Sequence, residues 1–110
     1  MSAKFIRAEF KFDPPDDAEP IAVTRRTRAG EVIAQIHPKG TQLRVVVHRA
    51  VGVTAELVGP AVHERTGKPN PMVHLTEAWT PDGRNGHRLL DEAPQWVRDA
   101  VDVSNEAAPR

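Results

Sequence analysis

The chain has 110 residues, 39% hydrophobic and 27% charged, and its 15 basic and 15 acidic side chains balance to zero net charge; this fits a single domain with one core and excludes a disordered chain. The absence of cysteine excludes disulfides, thiolate nucleophiles and cysteine-based zinc sites together. Lys4, Arg7 and Glu9 interrupt the N-terminal stretch and no later run approaches the ~18 apolar residues of a membrane span, so we expect no signal peptide, no membrane partner and a cytoplasmic protein.

In chain order, Ile6, Ala8, Phe10 and Phe12 alternate with Arg7, Glu9 and Lys11, the period of a half-buried strand. Residues 13–20, DPPDDAEP, hold four acids and three prolines and read as an acidic, Pro-rich connector. Residues 24–49 then carry six Arg or Lys side chains against a single acid, Glu31. Tight turns at Ala29-Gly30 and at 38–41 predict a three-stranded antiparallel meander. In that register Val23 opposes Ile36, Arg25 opposes Ala34 and Thr27 opposes Val32, while Ile36, Ala34 and Val32 oppose Leu43, Val45 and Val47. Because opposed residues share a sheet face, one side collects Ile21, Val23, Val32, Ala34, Ile36, Leu43, Val45 and Val47. The other side collects Arg26, Arg28, Arg44 and His48, with Ile33 and Val46 as an apolar pair inside a basic field.

Apolar parity continues through Val51, Val53, Ala55 and Leu57, with Gly52 as either a bend within one strand or part of a turn between two. A strand, a loop over 66–71 and a further strand follow, then PDGRNG at 81–86, dense in turn chemistry. Trp96, Val97, Ala100 and Val101 fall on one helical stripe behind Pro94, which predicts a C-terminal helix over 92–103, anchored on the sheet by Trp96, and a frayed tail over 104–110. The fold class expected is mainly β: an antiparallel meander or small open barrel of about five to seven strands with one short C-terminal α-helix, in a single domain spanning 1–110.

Catalytic signatures are scarce. Without cysteine or tyrosine, and with serine only at Ser2 and Ser104, no nucleophilic triad is expected. His63-Glu64 begins like a zinc-protease motif, but Gly67 stands where its second histidine belongs. A hairpin centred near Lys68 and Pro69 sets His63 opposite His74, which falls short of the three protein ligands of catalytic zinc. Asp82, Asp91 and Glu92 read as loop and helix-cap residues, and GRNG at 83–86 as a turn rather than a nucleic-acid clamp. Neither a phosphate-binding glycine loop nor a dinucleotide fingerprint is present, so no cofactor is expected.

Two binding readings follow from the outer face. Ile33 and Val46 form an apolar patch that another protein chain, a second copy, the helix or the first strand would cover. Alternatively, Arg26, Arg28, Arg44 and His48 contact nucleic-acid phosphates, although no aromatic residue lies among them to stack on bases. VVVHRAVGVTAELVGPAVHERTG, TEAWTPDGR and the closing APQWVRDAV resemble small β-rich proteins of actinobacteria and their phages, which share a V-GP-V stretch, a Gly-rich turn and a helix opening Pro-x-Trp-Val. That resemblance covers the C-terminal half and implies a fold style and an origin, with no activity or site residue to carry over. The function expected is a non-enzymatic interaction module acting through a protein partner or homo-oligomer, the alternative being nucleic-acid binding.

Overall fold

The computed structural model describes residues 7–108; Ile6, the first residue of the predicted opening strand, lies outside them. Period-two segments become strands β1 (Arg7–Phe12), β2 (Ile21–Thr27), β3 (Gly30–Ile36), β4 (Gln42–His48), β5 (Gly52–Val62) and β6 (Pro69–Thr80), followed by the short β7 (Arg88–Leu89) and one helix, α1 (Gln95–Ala107). The chain is therefore mainly β, and among the described residues seven strands form one open sheet. All pairings are antiparallel except that of β7 with β6.

The register shows how the first four strands are joined. β1 pairs with β4 from Arg7↔His48 to Phe12↔Leu43, and β2 with β3 from Ile21↔Ile36 to Thr27↔Gly30. Residues 7–48 thus make one long hairpin, with its tip at Arg28-Ala29, interrupted halfway by residues 13–20 on one arm and 37–41 on the other. Proline explains the interruption: Pro14, Pro15 and Pro20 face Pro38 across the gap in the ladder, and none offers the N–H that a ladder needs.

This corrects the predicted meander. β3 and β4 are successive segments of one arm, so Ile36, Ala34 and Val32 do not oppose Leu43, Val45 and Val47. Within the outer hairpin the partners are also displaced by two residues, Ile21 rather than Val23 standing opposite Ile36. A shift of two preserves parity, so Ile21, Val23, Ile36, Leu43 and Val45 are buried on one face as expected, whereas Val32 of the same face is exposed.

β5 continues the sheet. Its first part pairs with β4, from His48↔Gly52 to Gln42↔Val58, and further along the same edge it meets β3 at Ile36↔Ala61. Its other edge pairs with β6, with a register break at Pro60/Ala61. Gly52, at φ 104, follows the turn between β4 and β5 and starts a new strand rather than bending one.

The core gathers Ile21, Val23, Ile36, Leu43, Val45, Val53, Ala55, Leu57, Leu75 and Trp79 beneath Val97, Ala100 and Val101 of α1. Full burial of aliphatic side chains of this size is worth about 1.5–3 kcal/mol each. α1 differs from expectation at both ends. It begins after Pro94, its N-cap, because Asp91 and Glu92 belong to a separate 3₁₀ turn, Leu90–Glu92. It continues through residues 104–107, where a frayed tail was predicted, because Ser104 and Ala108 are buried and the Ser104 hydroxyl donates to the Ala100 carbonyl at 2.8 Å. Trp96 is only half-buried at the margin of the core; the stripe of Val97, Ala100, Val101 and Ser104 anchors the helix instead. Among the described residues, no helix is long and apolar enough to cross a membrane.

Candidate functional site

The interrupted hairpin divides the predicted contact residues into two groups. Arg44, Val46 and His48 lie on β4, whereas Arg26 (β2), Arg28 (the tip) and Ile33 (β3) lie on the outer hairpin. Ile33 and Val46 are therefore not neighbours: Ile33 opposes Thr24, and Val46 sits between Glu9 and Thr54. The apolar pair expected on one face does not exist, and α1, packed on the opposite side of the sheet, covers neither residue.

The β4 group is committed locally. Arg44 opposes Lys11 on β1 and Glu56 on β5 and reaches Glu56 at 3.5 Å and the diagonal Glu9, which Arg7 also engages, at 3.9 Å. His48 Nδ1 accepts the main-chain N–H groups of Ala50 and Val51 at 3.2 and 3.3 Å, organising the turn before β5. His48 is thus held by the turn, while the Arg44 side chain remains 45% exposed.

The outer hairpin is different. Past the Ile36↔Ala61 contact β3 diverges from β5, and residues 30–35 have no strand partner on that edge among the described residues. The β5–β6 turn curls beside them, closed by His63 N–H to the Lys68 carbonyl and Gly67 N–H to the His63 carbonyl, both at 2.8 Å. Between the two tips lies a cleft of about 490 Å³, walled by residues 32–35 on one side and by 61–64 with Gly67 on the other. Ile33 is 70% exposed and Val32 44% exposed, although they point to opposite faces of β3.

The lining residues include one acid, Glu64, and neither Arg nor Lys. Arg25 and Arg26 lie on β2, across β3 from the cleft, Arg28 lies at the hairpin tip, and Arg65 and Lys68 lie in the turn. Arg26 reaches Glu31 at 3.5 Å in full solvent, and no ion pair engages Arg25, Arg28, Arg65 or Lys68 among the described residues. The balancing acids lie elsewhere, four of them in the connector at 13–20.

β1 alternates charges at Arg7, Glu9 and Lys11 along its free edge, and β6 begins with Pro69 and Pro71 beside the register break. At the outer edge of β2, Arg88 donates to the Ala22 carbonyl at 2.8 Å, and residues 23–27 have no strand partner on that side among the described residues. Residues 30–35 contain no proline, lysine or bulge.

The histidines do not assemble. His63 lies in the turn and His74 opposes Pro60, because the register break displaces the predicted pairing. Among the described residues, no group of three His, Cys, Asp or Glu side chains is placed to hold a metal ion. A second hollow, of about 380 Å³, lies between Trp79 and Trp96, where Arg88 is occupied by Ala22 and by Glu77 at 3.3 Å.

Sequence reasoning missed Arg25, Arg65, Lys68 and the wall formed by residues 61–64. One signal was legible: Arg25 has core parity, so the core must end before it, and the hairpin beyond must overhang. The juxtaposition with the β5–β6 turn had no such signal, since it depends on where β3 leaves β5. No known protein family, curated protein or solved structure matches the chain.

Proposed function

We propose that this protein is a small, non-enzymatic binding module that takes an extended segment of a protein partner as an added strand along the open edge of β3. The observation that carries the reading is that edge itself: on the side away from β2, residues 30–35 have no strand partner among the described residues, and Val32 and Ile33 are exposed on opposite faces. Such an edge is a template for strand addition, in which main-chain hydrogen bonds supply affinity and alternate side chains supply selectivity. An NMR titration with an extended peptide of alternating valine and threonine tests it. Amide shifts should concentrate at residues 30–35 and 61–64; a spectrum unchanged at about millimolar peptide rejects the reading.

The cations of the outer hairpin and of the β5–β6 turn favour a second reading, in which Arg26 and Arg28, joined by Arg25, Arg65 and Lys68, grip nucleic-acid phosphates. It predicts oligonucleotide binding that weakens with salt, each phosphate-neutralising arginine changing the log–log slope by about one when replaced by alanine. His48 drops out of this version, since its Nδ1 is held by the turn, and Arg44 on β4 is separated from the hairpin group.

A further inference from the structure

We infer that the groove between the acidic connector and α1 holds a basic, extended segment of another protein, at a site separate from the β3 edge. The connector runs back along the helix. Residues 19–22 share the hollow of about 380 Å³ with residues 92–94, while Asp13 and Pro15 share another, of about 270 Å³, with Asp99, Ala100 and Val103. Trp96 lines both, so the two hollows meet at its side chain.

Charge selects the occupant. Each hollow takes one acidic residue from the connector and one from the helix side, Glu19 with Glu92 and Asp13 with Asp99, and all four are exposed. No ion pair engages any of them among the described residues. Asp13 and Asp99 accept neutral amides, from Gln42 at 3.5 Å and Gln95 at 2.8 Å. The one cation in either lining, Arg88, is already turned to Glu77 and to the Ala22 carbonyl. Arg25, Arg26 and Arg28 of the same chain lie farther out along β2 and at its tip, away from Pro20 and Ala22. The carboxylates of the groove therefore lack counter-charges from their own chain, and cations on a ligand would supply them.

The remaining walls suit a polypeptide. Phe12, Trp96 and Val103 offer apolar surface to the methylene stems of lysine or arginine, with the Trp96 indole as a cation–π partner. Trp79, in the wall of the first hollow, is 1% exposed and its Nε1 has no hydrogen-bond partner. A buried indole N–H ordinarily has an acceptor, and the carbonyl of a bound segment would provide one. Acidic residues in both hollows call for cations on both sides of Trp96, which successive basic residues of one segment bring together.

Both tryptophans of the chain line the groove, so their fluorescence reports its occupancy. Three peptides alternating alanine with lysine, glutamine or glutamate, and spermine as a fourth ligand, distinguish the outcomes. The lysine peptide should shift the emission, bind about tenfold tighter than the glutamine peptide, and lose that margin as salt rises from about 50 to about 300 mM. Amide shifts in NMR should fall on residues 12–22 and 92–103 and spare 30–35. The variant D13N/E19Q/E92Q/D99N should lose the lysine preference yet melt no lower than the parent, because the four side chains lie outside the core. Equal affinity for the lysine and glutamine peptides, or shifts confined to 30–35 and 61–64, overturns the inference and leaves strand addition standing. Spermine bound as tightly as the lysine peptide makes a free polyamine the ligand and overturns it. A mass above one chain in light scattering that blocks the lysine peptide, and that R25Q/R28Q abolishes, makes a second copy the occupant and overturns it too.

Discussion

At the scale of single residues, close contacts identify positions with little tolerance. Gly59 is buried on β5, and a Cβ there would overlap the Thr41 methyl group and press on Ile36. Thr41 has little freedom to yield, since its hydroxyl donates to the Pro38 carbonyl at 2.7 Å. Gly59→Ala should therefore cost about 1–3 kcal/mol, the usual toll of overpacking, measured by urea unfolding. Arg84 clamps the 81–86 loop onto the start of β5, donating to the Val53 carbonyl at 2.9 Å and Thr54 Oγ1 at 2.8 Å. Its side chain is 19% exposed, and Arg84→Ala should cost about 1–3 kcal/mol through lost charge-assisted bonds. The neighbouring Asp82 carboxyl is held below its ordinary pKa, chiefly by the Arg84 main-chain N–H and further by the Arg84 side chain. A depressed carboxylate stabilises the fold above its unfolded value, and that contribution disappears as pH falls through the folded one. Asp82→Asn should accordingly lower the unfolding midpoint slightly at neutral pH and flatten its change below about pH 4.

At the scale of elements, the outer hairpin and the sheet beneath α1 obey different rules. Ile36 and Ile33 lie three residues apart on β3, yet one is completely buried and the other is 70% exposed. Ile36→Ala should cost about 2–5 kcal/mol, whereas Ile33→Ala should stay within about 0.5 kcal/mol; parallel thermal melts make the comparison. The tip is nevertheless organised without a core. Thr27 Oγ1 donates to the Gly30 carbonyl at 2.8 Å and accepts the Ala29 N–H at 3.2 Å, while Gly30 takes φ 118. An edge ordered in this way has less conformational entropy to lose on binding than a loose loop would.

At the scale of the whole molecule, the overhanging hairpin sets the shape. The extents are 58 × 31 × 23 Å and the Cα radius of gyration is 15.3 Å, against about 13 Å for a compact domain of this length. Small-angle scattering from the isolated protein should return the elongated value with the mass of one chain; a compact profile would mean that the hairpin folds back over its own edge. Charge is uneven along the chain, the four acids of 13–20 being followed at once by Arg25, Arg26 and Arg28.

Composition and local periodicity determined which segments become strands, where prolines and glycines break them, which face is apolar and that the chain ends in a helix resting on its neighbours. These properties depend on residues within a few positions of one another. Only the tertiary structure decided that β3 and β4 follow one another instead of pairing, that Arg44 lies between two glutamates, and that the β5–β6 turn stands beside the free edge of β3. A register shifted by two leaves every side chain on its face, so alternation alone is blind to which strands become partners. The missing ladder at the connector, and the cleft that opens beyond it, are consequences of that choice.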